Sequence, residues 1–276
     1  NQRSSDASFI GTLQAGYTNF HYLRPIWQVT TEEDALVGVG MTGIASGAIE
    51  GLNENEAALV AVQINAVVSA VIGVKPASRV TTVKPSGTSS LVVGSSSGIH
   101  GWHAPYYLRR MRFGKDESIY RYLKKTIPEL VEDEYFKPDL QAVISIPQRA
   151  PDTAVFRSEP ALALLSRVSR YNSNWVGTGH NLGDNHNNVS VTVSIKDNEW
   201  PEVGEWMWKH KDEYNGISVL PYDGGTYKQT PFEDITEDEY NRLSKYLTDI
   251  DLSRVNEVED NTDLAGEAAC AGGACE

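Results

Sequence analysis

The chain has 276 residues, 40% of them hydrophobic, enough for one large domain or two ordinary ones with a packed core. Its 24 basic and 37 acidic residues leave a net charge of −13, which argues against gripping duplex DNA by phosphate neutralisation but leaves room for small anions held by backbone N–H groups. No apolar run reaches the roughly 18 residues of a membrane span, no signal-peptide pattern is present, and two cysteines are too few for a secreted disulfide scaffold. The expectation is a soluble, cytoplasmic protein with neither nucleic acid nor membrane as partner. Because the first residue is Asn1, the chain is expected to be processed or to start inside a longer reading frame.

In chain order, Phe9, Ile10, Leu13, Tyr17 and Phe20 recur as one helical face, with Ser5 or Asp6 able to cap its start. Leu36–Met41 reads as a short buried strand or core element. Residues 54–73 make the clearest helix, acidic in its first turn and closed by Gly73. Val80–Val83 is a β-branched strand that runs into a sharp turn. Residues 116–132 look helical, "LQAVISIPQ" reads as a strand, and 159–171 suit a helix with Pro160 near its first position. "NNVSVTVSI" (187–195) alternates with period two, 199–214 look helical, and "GISVLPY" is a further strand. A last helix over 236–249 opens with Thr236 and Glu239 in capping-box spacing. Strands alternating with helices predict an α/β fold with a mainly parallel sheet or barrel.

Two polar loops stand out. In "KPSGTSS", Gly87 frees the backbone, while Thr88, Ser89 and Ser90 supply hydroxyl donors beside the N–H groups of a strand-to-helix turn. Such a loop can cradle an anion without basic residues, or serve as a plain turn. It lacks the spacing of a nucleotide-binding Walker loop. "GSSSGIHGWH" is the second; His100 and His103 have metal-ligand spacing, but loop hydrogen bonding is the favoured role.

Both cysteines, Cys270 and Cys275, lie in the terminal "CAGGACE". The small residues between them let the sulfurs approach. The preceding "VNEVEDNTDLAGEAA" is acidic and aperiodic and predicts a mobile tail. A disulfide there would close a small loop at a frayed end and add little stability. A dithiol on a flexible arm can instead enter a buried site, exchange with a disulfide and be re-reduced outside. The other reading is a pair without a role at a disordered end. Two cysteines without further ligands cannot complete a zinc shell, so no metal is expected.

Taken together, "SFIGTLQAGYTNFHYL", "LVGVGMTGIASG", "TTVKPSGTSSLVVGSSSGIH", "YYLRRMRF", "DNHNNVSVTVSI", "SVLPYDGGTYKQTPFE" and terminal "CAGGAC" resemble, in order, the C-terminal half of class II, adenosylcobalamin-dependent ribonucleotide reductases, nearest the monomeric ribonucleoside-triphosphate reductases. The resemblance implies the later strands and helices of a ten-stranded α/β barrel over 1–250 and a flexible redox tail over 251–276. It implies that Ser86, Gly87, Thr88, Ser89 and Ser90 bind the substrate's phosphates. It implies that Cys270 and Cys275 re-reduce the active-site disulfide and are themselves reduced by thioredoxin or a similar protein. The implied cofactor is adenosylcobalamin, and the implied reaction converts ribonucleotides to deoxyribonucleotides by thiyl-radical chemistry.

The departure from the pattern is that the thiyl cysteine and the active-site reducing pair are absent, because only Cys270 and Cys275 exist. The chain is therefore expected to need an N-terminal half, upstream or on a partner chain. Val219-Leu220-Pro221-Tyr222 lacks the adjacent tyrosines of a class I large subunit, and the ending lacks class III motifs. The competing readings are an inactive nucleotide-binding or assembly remnant, a class I large-subunit fragment, and an unrelated thiol oxidoreductase. The last lacks a Cys-x-x-Cys opening a helix.

Overall fold

A computed structural model describes residues 1–47, 49, 51–222, 228–247 and 250–256, apart from the side chains of Thr88 and Leu91. Its elements, in chain order, are α1 (Gln2–Ala15), α2 (Pro25–Asp34), β1 (Val39–Gly40), α3 (Glu54–Ile72), β2 (Thr81–Thr82), α4 (Thr88–Val92), β3 (Tyr106–Gly114), α5 (Ser118–Thr126), β4 (Val131–Asp133), β5 (Gln141–Arg149), α6 (Ala161–Tyr171), β6 (Thr192–Ile195), α7 (Trp200–Lys209), β7 (Ser218–Pro221), β8 (Phe232–Asp234) and α8 (Glu237–Ser244). They form two compact units, residues 1–101 with 158–222, and residues 102–157 with the described residues beyond 223.

In the first unit the strands run parallel. β1 pairs with β2 in register Val39↔Thr81, and β6 pairs with β7 in register Thr192↔Ser218. A parallel bridge between Val83 and Val189 joins the two pairs, so the order is β1-β2-β6-β7. Valines fill both faces, as expected of strands covered by helices: Val80, Val83, Val189 and Val193 are all buried to within 1% exposure. Trp175 packs among them and donates its indole N–H to Thr82 O at 2.9 Å, while Thr81 Oγ1 donates to Trp175 O at 2.6 Å.

α3 forms as its sequence dictates. Asn53 Oδ1 accepts from Glu56 N at 3.2 Å, Glu54 and Glu56 face the positive end of the helix dipole, and Gly73 closes the helix at φ 78°. Buried Glu54 is paired with Arg170 of α6. α3 is also long and apolar enough, by length and composition, to cross a membrane, a match that a count of unbroken apolar residues misses.

α1 differs from its prediction. Asn1, not Ser5 or Asp6, precedes the first turn. The apolar set is turned outward: Phe9, Ile10 and Leu13 are exposed, whereas Ser8 and Thr12 are buried against α3. The physical reason is close approach. Ser8 Oγ donates to Ala61 O at 2.6 Å, and Asn65 of α3 donates to Thr12 Oγ1 at 3.0 Å and accepts from Ala77 N at 2.8 Å. Small polar residues with their own partners allow a helix separation that Phe9 or Leu13 would block.

The second unit corrects the expectation of a mainly parallel sheet. Its four strands, in order β4-β5-β3-β8, are antiparallel throughout. The short connection from β4 to β5 permits only that direction, since parallel neighbours need a long crossover. The predicted helix over 116–132 is here α5, which ends at Thr126 because Pro128 disfavours a helical Ile127; residues 131–133 then pair as β4. Leu108, Phe113, Leu123, Ile144 and Leu243 share the core of this unit. At α8, Thr236 Oγ1 accepts from Glu239 N at 3.2 Å, but Glu239 pairs forward with Arg242 instead of returning to the cap.

Candidate functional site

In open parallel sheets, ligands bind beyond the carboxyl ends of the strands. The segment 41–47 follows β1 and the loop 84–90 follows β2, so both polar segments leave from that edge. They meet each other and the second predicted loop. Thr42 Oγ1 lies 2.7 Å from Ser86 Oγ and 2.8 Å from Ser90 Oγ, and the two serine hydroxyls touch each other. Thr42 Oγ1 also accepts from Gly98 N at 2.9 Å and lies 3.0 Å from Ser96 O.

Loop 95–98 braces this group from behind. Ser97 Oγ accepts from both Ser86 N (3.1 Å) and Gly87 N (3.0 Å). Ser96 ties the loop to the turn after β1: its Oγ accepts from Ala45 N, and its own N–H donates to Ser46 Oγ. Gly98 sits at φ 55°, where a Cβ would lie 2.6 Å from Lys84 O. The backbones therefore touch where only glycine fits.

Five residues were predicted to bind phosphate. The structure brings Ser86, Gly87, Thr88, Ser89 and Ser90 together as the turn into α4 and its first residues. The N–H groups of Ser86 and Gly87 are engaged by Ser97, and that of Ser89 by Ser86 O at 3.0 Å. Ser90 is 1% exposed and bonds Thr42, whereas Ser89 is exposed. Sequence reasoning did not single out Thr42, Ser96 or Ser97 as site residues. The signal was the flanking glycines in "GMTG" and "GSSSG", which mark backbones in close approach. Cys270 and Cys275, and the tail over 257–276, lie outside the described residues.

His100 adjoins the loop. Its Nδ1 lies 3.2 Å from Ser97 O, and its Nε2 accepts from Thr192 N at 3.0 Å. This fixes a neutral tautomer, and burial holds its pKa below the usual histidine range. Both ring nitrogens are therefore committed, Nδ1 to the loop at Ser97 and Nε2 to the first residue of β6. His103 belongs to the second unit. It stacks on Phe232, its Nε2 lies 2.7 Å from Asp234 Oδ1, and burial followed by the charge of Arg157 lowers its pKa to about 4 against the opposing pull of Asp234.

The curated homologues of the chain are adenosylcobalamin-dependent ribonucleoside-triphosphate reductases. That of Lactobacillus acidophilus is 29% identical over 213 residues, covering 74% of this chain and 27% of the relative. That of Euglena gracilis is 29% identical over 204 residues, covering 71% and 26%. The chain thus spans about a quarter of the length of the curated relatives it matches. A solved structure described as a B12-dependent, class II ribonucleotide reductase has the same fold over 82% of this chain and 35% of its own, with a TM-score of 0.68 and 18% identity. No protein-family model matches.

Proposed function

We propose that this chain is the C-terminal portion of a cytoplasmic adenosylcobalamin-dependent ribonucleotide reductase, acting on ribonucleoside triphosphates together with the part of the reductase it does not contain. The observation that carries the reading is the hydroxyl group formed by Thr42, Ser86 and Ser90 beyond the carboxyl ends of β1 and β2, in a chain whose curated relatives are such reductases.

In this reading the loop Ser86–Ser90 receives the substrate's phosphates through neutral donors. Ser89 offers an exposed hydroxyl, and Ser86 and Gly87 can release their N–H groups from Ser97 as phosphate oxygens replace its hydroxyl. Cys270 and Cys275 give two electrons and two protons to a disulfide on the complementary portion, become a disulfide themselves and are restored by thioredoxin or a similar protein. The radical-bearing cysteine lies on the complementary portion, because this chain has only the two terminal cysteines. Bound adenosylcobalamin would supply the radical. His100 has both nitrogens committed within the fold and neither left for the cofactor.

The test is an anaerobic deoxynucleotide-formation assay with adenosylcobalamin, the four ribonucleoside triphosphates and a reduced thioredoxin system, with and without the complementary polypeptide. Product is expected only with both polypeptides. Cys270→Ser or Cys275→Ser should abolish thioredoxin-driven turnover and leave turnover with dithiothreitol. An assembled complex that makes no product would overturn the catalytic reading and leave an inactive binding remnant.

A further inference from the structure

The first unit carries three helices whose outer sides have the wrong chemistry for water. On α3, Ala57, Ala58, Ala61, Asn65, Val68 and Ser69 face inward, so one large apolar residue sits inside among small and polar ones, while Leu59, Val67 and Val71 are 50%, 62% and 81% exposed. On α1, Ser8 and Thr12 face inward and Phe9 faces out. A surface helix of a free-standing protein has the reverse pattern, large apolar residues inside and polar ones outside. α2 goes further. It has no buried residue at all, and its Trp27 is 54% exposed. Ten residues of helix without tertiary packing are unstable in water, so the conformation of α2 requires a covering partner. α2 also ends in exposed Glu32, Glu33 and Asp34, acids at the negative end of its dipole with no basic residue in the last turn.

We infer that the outer sides of α1, α2 and α3 form the docking surface for the portion of the reductase that this chain lacks. The inference rests on the reductase reading. The relatives are nearly four times longer than their matched segment, so most of the protein that would pack against this unit is elsewhere. The facing strip is apolar opposite α1 and α3, and carries Lys or Arg opposite Glu32–Asp34, where a positive charge satisfies both the acids and the helix end. A lipid surface fits less well. Ala57, Ala58 and Ala61 of α3 belong to the same core as Val80 and Val83 of the sheet, and Glu54 in its first turn is buried against Arg170. A helix so anchored cannot also span a bilayer.

The test uses this chain and a separately expressed polypeptide that carries the part of the reductase it does not contain. Titration calorimetry is run on the wild type and on Val71→Lys, Trp27→Lys and Phe136→Lys. The last is 71% exposed on the other unit and serves as the control. Val71→Lys and Trp27→Lys are each expected to weaken binding more than tenfold, and Phe136→Lys to leave it within twofold, with unchanged circular dichroism because all three positions are exposed. Hydrogen exchange should show residues 2–34 and 54–72 gaining protection in the wild-type complex. Tight binding insensitive to both substitutions, or no binding by the wild type, overturns the inference. So does self-association in sedimentation, or flotation with phosphatidylglycerol–phosphatidylcholine vesicles, if Val71→Lys abolishes it, since a second copy or a membrane would then be the occupant. Deoxynucleotide formation by the mixture separates the two ideas. Product with face-insensitive binding sinks the docking surface alone, whereas face-dependent assembly without product sinks the catalytic reading alone.

Discussion

At Gly98 two loops and one turn depend on a missing side chain. The residue takes a positive φ, and its Cα lies so close to Lys84 O that a methyl group would sit at 2.6 Å. Gly98→Ala is expected to cost about 1–3 kcal/mol and to loosen loop 84–98, read as faster proteolytic cleavage there. His103 offers a second test at this scale. Its side chain is only 5% exposed and its pKa falls from 6.5 to about 4. Above pH 6.5 the ring is neutral whether folded or unfolded. Below it the unfolded chain takes up a proton that the folded one refuses, so stability is lost between pH 6.5 and about 4. His103→Phe keeps the stacking on Phe232 and removes the titration. Denaturant unfolding of the second unit should then fall between pH 7 and pH 5 by about 2 kcal/mol less than in the wild type. An equal fall in both would remove His103 as the cause.

Single elements divide by how local their causes are. α3 was legible because its first-turn acids and closing glycine lie within the segment; the structure adds Asn53 as the cap just before it. Asn53→Ala, which deletes the bond to Glu56 N, should therefore lower stability by about 1 kcal/mol in thermal unfolding. β2, β5, α6 and β7 were likewise readable from short-range patterns. α2 and β8 were not, because neither carries its own stabilising pattern: α2 buries nothing, and β8 exists through its pairing of Phe232 with Arg109. The expected helix over 116–132 placed Pro128 near its end, whereas the backbone constraint before proline stops α5 at Thr126.

For the whole molecule, the chain by itself should make no deoxynucleotide, even with cofactor, reductant and substrate present. A thiyl step needs a cysteine beyond the two needed for reduction, and the sequence contains none. In the proposed reading the outward apolar residues of α1 and α3 belong to the same picture: Ser8 and Asn65 are buried while Phe9 and Val71 are exposed, and the missing portion would cover them.

What the sequence determined by itself was whatever depends on neighbours in the chain: the start and stop of α3, the parallel strands' valine runs, the polar loop after β2 and the position of the cysteines. Only the tertiary structure decided that Thr42 and Ser97 complete that loop, from 44 and 11 residues away from Ser86. It alone decided that the strands of the second unit run antiparallel, and which side of α1 faces in. The apolar period of α1 is the same whether its stripe meets its own core or another polypeptide. Hydrophobicity is non-directional, and only the close approach of α3, made possible by Ser8 and Thr12, selects the face.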